Sequence, residues 1–153
     1  MVRFDVFLLV PDSFFGEVRN IAFSRYPIQN AIEKLCRDLN LPRPDNHDQD
    51  WELVVVDEMR IDEFIDYYQY SASDNEVRFT LMIILIGSFD DAVLSGNFDV
   101  AAWEKVKRIL ISQRELHAGT IAYWSCGEDS LEDSFRITPY IREVACCIEN
   151  CDK

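Results

Sequence analysis

Positive charge is scarce in this chain: 15 Lys and Arg stand against 28 Asp and Glu, a formal net charge of -13 over 153 residues. A nucleic-acid binder needs a basic footprint to displace counterions from phosphate, so the balance argues against nucleic acid as a partner. It argues equally against an anionic membrane surface. Glycine is thin as well. The five glycines form neither G-x-G-x-x-G nor a Walker loop, and G-x-S-x-G and H-E-x-x-H do not occur. Long apolar runs are missing: the longest, Phe79 to Ile86, falls far short of the roughly 18 to 20 residues that span a bilayer. The opening Met1-Val2-Arg3-Phe4-Asp5 and the short run Val6 to Val10 lack the length and cleavage pattern of a secretory signal.

Cysteine is present but odd in number: Cys36, Cys126, Cys146, Cys147 and Cys151. Without a secretory signal, that count suits reduced thiols and a cytoplasmic protein. Cys146, Cys147 and Cys151 fall on an expected amphipathic helix without a matching second pair or histidines. They read as core or near-surface thiols rather than as a zinc site. The EF-hand order is broken at Asp48-Gln49-Asp50-Trp51. Of the two histidines, His47 sits in an acidic polar loop and reads as solvated, and His117 reads as a packing or helix-capping residue. No catalytic, cofactor-binding or metal-binding residue follows from the sequence, and an enzyme is not expected.

What the chain does have is a core. Hydrophobic residues make up 48% of it, enough for one domain spanning residues 1–153. Val2 to Val10 is rich in β-branched and aromatic residues and predicts a strand, with Trp51 to Asp57 as its partner. Ser13 to Ser24 is ambiguous. Ile28, Ala31, Ile32, Leu35 and Leu39 predict a helix entered through Pro27, and Ile61, Phe64, Ile65 and Tyr68 predict another. Ser73 and Glu76 have the spacing of a capping box, which tips Phe79 to Ile86 towards a buried helix, with Gly87 and Ser88 as punctuation. Asp99 predicts the N-cap of a helix burying Trp103, Val106, Ile109 and Leu110. Residues 120–124 fit helix or strand equally. Thr138-Pro139 predicts a capped helix carrying Ile141, Val144 and Ile148. The expected fold is α+β: a predominantly helical single domain with a small strand pair near the N-terminus.

The acids are not spread evenly. Between Asp45 and Glu76 there are eleven, with Arg60 the one opposing charge, so 32 residues carry ten units of the net negative charge. Outside them, 17 acids face 14 bases. Such concentration costs stability through self-repulsion, and it steers cationic partners. A solvated face is the plain explanation. Against it stand Trp51, Tyr67, Tyr68 and Tyr70, threaded through the charge; Tyr67 and Tyr70 are expected on the flank of their helix. Exposed tyrosine beside carboxylate is the make-up of a protein interface. Asp45, Asp48, Asp50, Asp57, Glu58, Asp62, Glu63, Asp66, Tyr67 and Tyr70 are therefore the candidate partner-binding residues. Glu128, Asp129, Glu132 and Asp133 form a second, smaller cluster.

Glu76-Val77-Arg78-Phe79-Thr80-Leu81-Met82, the stretch from Trp103 to Trp124, and Ile137-Thr138-Pro139-Tyr140-Ile141-Arg142 resemble bacterial immunity proteins of contact-dependent growth inhibition and polymorphic toxin systems. Together with the acidic skew, these cover about half the chain. They are packing and capping patterns, and no functional residue transfers through them. The resemblance implies non-covalent neutralisation of a cognate basic toxin domain, often a nuclease, without a cofactor. Two other readings stand beside it: an acidic interaction subunit of a larger cytosolic assembly, and an unrecognised enzyme built on carboxylates.

Overall fold

Apolar residues at helical spacing, each run closed by a polar cap or a left-handed residue, set the helices one after another. The structure is a computed structural model and describes residues 25–45 and 50–151. Helix α1, Gln29–Asp38, buries Ala31, Leu35 and Cys36. It stops where Asn40 turns left-handed at φ 50° and the Leu41 amide donates back to the Cys36 carbonyl. A residue in that conformation with a six-to-one bond is a standard way to satisfy the last carbonyls of a helix.

The expected strand at 51–57 is instead the short helix α2, Trp51–Val54, followed by an irregular segment and a 3-10 turn at Glu58–Arg60. Its β-branched composition gives a strand propensity, but a strand needs a ladder. Here the backbone is satisfied locally: Leu53 donates to the Asp50 carbonyl, Val55 to the Trp51 carbonyl, and the Asp57 amide to Ser88 Oγ at 3.0 Å. The buried Trp51 ring is held by its Nε1, which donates to the Pro42 carbonyl at 2.7 Å. The other expected strand, Val2 to Val10, and the ambiguous Ser13 to Ser24 lie outside the described residues. Among the described residues there is no strand, and the fold there is all-helical rather than α+β.

Helix α3, Ile61–Tyr70, buries the expected stripe of Ile61, Phe64, Ile65 and Tyr68. Helix α4, Asn75–Ser95, is the centre of the molecule and is apolar around most of its circumference, as a helix enclosed by others must be. It packs against α1, α2, α3 and α6. Its cap is Asp74, which accepts from the Glu76 amide, one residue beyond the expected Ser73. Gly87 and Ser88 do not interrupt it: Ser88 returns its hydroxyl to the Ile84 carbonyl within the helix. Gly87 is needed for a close approach, since a Cβ there would stand 2.6 Å from Val56 Cγ1. The helix ends at Gly96, φ 79°.

Helix α5, Val100–Ser112, is capped as expected by Asp99, which accepts from Ala101 and Ala102. Helix α6, Arg114–Ser125, takes in residues 120–124, so that segment is helix. Helix α7, Thr138–Cys151, buries Ile141, Val144 and Ile148. Thr138 is not its own helix's cap: its hydroxyl donates to the Trp124 carbonyl at 2.8 Å and ties the end of α6 to the start of α7. Near that start, the Ile137 amide donates to the buried Asp90 of α4 at 2.8 Å. Edge-on packing of Phe89 on Trp103 and stacking of Phe98 on Tyr140 close the core between α4, α5 and α7.

Candidate functional site

The acids of the 45–76 segment divide according to what the fold does with them. Arg60, the one base among them, is turned inward. Its guanidinium donates to the Leu39 carbonyl at 2.5 Å, forks onto Glu63 through two contacts of 2.7 Å, and lies over the Phe64 ring. Glu63 is thereby neutralised, and the pair holds its carboxyl below the usual range. Tyr67 is half-buried rather than a free anchor. Its hydroxyl donates to Asp38 of α1 at 2.7 Å, beside Lys34. Lys34 and Tyr67 together hold the Asp38 carboxyl down to about 2. These residues join α3 to α1.

Asp57 and Glu58 are likewise engaged. Asp57 caps the 3-10 turn by accepting from Met59, and Glu58 accepts from Ser95 Oγ at 2.5 Å and Asn97 Nδ2 at 3.2 Å, at the C-terminal end of α4. Negative charge gathers there: burial, then Asp90 and Glu58, raise the Asp91 carboxyl. Asp50 precedes α2 without capping it through its side chain. It lies near Glu52 and Tyr123, both of which are raised chiefly by burial and further by Asp50. Asp45 is exposed and engaged within the fold, and Asp48 lies outside the described residues.

What remains outward on α3 is one stripe. Asp62, Asp66 and Tyr70 are four residues apart, so they follow one another along a single helix face, and all three are exposed, Tyr70 to 82%. Among the described residues neither carboxylate meets a cation. The structure thus brings together Asp62, Asp66 and Tyr70 from the sequence-derived set, and commits Asp57, Glu58, Glu63 and Tyr67 to the fold's own contacts. The second cluster sits between α6 and α7, with Glu128, Asp129, Glu132 and Asp133 all exposed. It follows directly on the end of α6, where Tyr123 feels Asp50 and Glu52.

Sequence reasoning did not foresee one polar group of the core. Tyr68 Oη lies 2.7 Å from Gln113 Oε1 and 2.8 Å from His117 Nε2, and the imidazole is fully buried. His117, read as a packing or capping residue, packs in the first turn of α6. Burial, with Arg25 and Arg78 adding repulsion, lowers its pKa to about 3, so it is neutral at physiological pH. The helical stripe that placed Tyr68 inward was the one available signal, because a buried tyrosine hydroxyl calls for a polar partner. Among the described residues, no group of three or more His, Cys, Asp or Glu is arranged to hold a metal ion, and no helix is long and apolar enough to cross a membrane. Comparison with protein families, curated proteins and solved structures finds no match to this chain.

Proposed function

We propose that the chain is an immunity-type inhibitor, a binding module that occupies the cationic surface of a partner toxin domain, with a nuclease as the partner chemistry that fits best. The observation that carries this reading is the Asp62–Asp66–Tyr70 stripe. Two carboxylates that meet no cation among the described residues share one exposed helix face with an aromatic side chain. Like charges four residues apart on a helix destabilise it by a few tenths of a kcal/mol. A group retained at that cost calls for a use, and steering a basic partner is the use that net charge of this sign supplies. Tyr70 is the anchor that such an interface needs near its charged groups.

The test is co-expression with basic nuclease toxin domains, beginning with any that the adjacent reading frames encode. The two proteins are expected to co-purify and the toxin to lose activity. Asp62→Lys with Asp66→Lys is expected to slow association and flatten its dependence on salt, and Tyr70→Ala to speed dissociation. Unchanged association rates in the double reversal would remove α3 as the docking face. Absence of any complex would remove the inhibitor reading itself.

A further inference from the structure

Cys147 and Cys151 are separated by one helical turn on α7, and their flank of the helix also carries Glu143, four residues earlier. Cys147 is half-buried and Cys151 exposed, and all five cysteines are free thiols. Lys107 of α5 reaches this flank: its ammonium is 3.1 Å from Glu143, and that hydrogen bond is the main cause of its raised pKa. Cys146 points elsewhere, exposed, with Asn150 Nδ2 donating to its sulfur at 3.6 Å.

Helix geometry decides what two thiols in this relation can do. Cβ atoms four residues apart on a helix are about 5–6 Å from each other, whereas a disulfide requires roughly 3.5–4.5 Å. The pair therefore cannot close an S–S bond without unwinding the last turn. A metal–thiolate bond of about 2.3 Å on each side lets the two sulfurs stay up to roughly 4.6 Å apart, a separation that Cβ atoms about 5–6 Å apart allow without unwinding the turn. Four-coordinate zinc needs more ligands than the described residues gather here. A soft ion content with two thiolates does not.

We propose that Cys147 and Cys151 form a dithiol site for a soft, thiophilic ion, with Cu(I) the chemical type it fits. The ion binds by displacing two protons: Cu(I) plus two thiols gives a bis-thiolate complex of charge -1 and two protons released, with no change of oxidation state.

The experiment uses the reduced full-length chain under anaerobic conditions, with Cu(I) presented as its coloured bicinchoninate complex. One equivalent of Cu(I) is expected to pass to the protein. Changes beyond the ligands alone cost metal sites roughly 10–100-fold, so losing a ligand is expected to cost at least about 100-fold in affinity for Cys147→Ser and for Cys151→Ser. Cys146→Ser is expected to bind as the parent does. Far-UV circular dichroism of each variant checks that α7 remains. Withdrawal that survives Cys147→Ser, or that is lost with Cys146→Ser, overturns the assignment. So does failure of the parent to withdraw copper.

Discussion

Tyr68 has a single hydroxyl proton and two neighbours that can accept it, Gln113 Oε1 and His117 Nε2. If the proton goes to Gln113, the imidazole must carry its own on Nε2 and leave a lone pair on Nδ1, the atom that has no hydrogen-bond partner among the described residues. An unpaired acceptor is the cheaper orphan in a core. Tyr68→Phe strands both neighbours and is expected to lower the unfolding free energy by about 1–3 kcal/mol in urea titrations. The same residue pair sets a pH response. His117 has a folded pKa of about 3 against an ordinary 6.5, so protons bind the unfolded chain more readily. Its contribution is complete above pH 6.5 and is lost as the pH falls towards 3, with a slope of at most about 1.4 kcal/mol per unit. The raised carboxyls of Glu52 and Asp91 also titrate towards that window, so the histidine is isolated by the difference between the parent and a variant that lacks it. Urea midpoints are expected to fall there in the parent and to fall less in His117→Gln. At this scale the sequence was partly legible. The apolar spacing of Ile61, Phe64, Ile65 and Tyr68 identifies which residues go inward, but not which polar atoms they meet, because Gln113 arrives from the junction of α5 and α6 and His117 from the first turn of α6.

Gly87 shows where helical and strand propensity compete at the scale of elements. Substituting alanine for an interior helix glycine ordinarily stabilises by up to about 1 kcal/mol. Here the new methyl would meet the stiff, β-branched Val56. Forcing extra volume into packed structure costs roughly 1–3 kcal/mol, so Gly87→Ala is expected to be destabilising overall. In a Val56→Ala background the same change is expected to become neutral or stabilising, and a double-mutant cycle in thermal or urea unfolding reads the reversal. That contact also explains why Trp51 to Asp57 misled. Its valines indicate a segment suited to burial on a flat surface, and the surface it meets is α4 at a glycine rather than a neighbouring strand. Caps were better signposts. Asp99 stands where the sequence places it, and Asp74 takes the role expected of Ser73, one residue away, because both offer an oxygen ahead of the same apolar run.

Across the whole molecule, net charge was plain from composition, but its arrangement was not. Eleven acids in 32 residues suggested a single face; the fold uses Glu63 and Glu58 as internal fasteners and leaves Asp62 and Asp66 outward. Those partners could be found only once Arg60, Ser95 and Asn97 had been brought within reach. Asp66→Asn is expected to raise stability by about 0.2–0.5 kcal/mol, by relieving its repulsion with Asp62, while weakening any basic partner. A thermal melt and a binding titration of one variant would show the two effects with opposite sign. Helix α4 touches α1, α2, α3 and α6, so its withdrawal uncovers apolar surface on all four at once. Melting should therefore be a single cooperative event rather than a staged fraying. A ligand bound on any one face would then raise the transition temperature of the entire assembly of helices, making a simple thermal-shift screen sensitive to a partner wherever it docks.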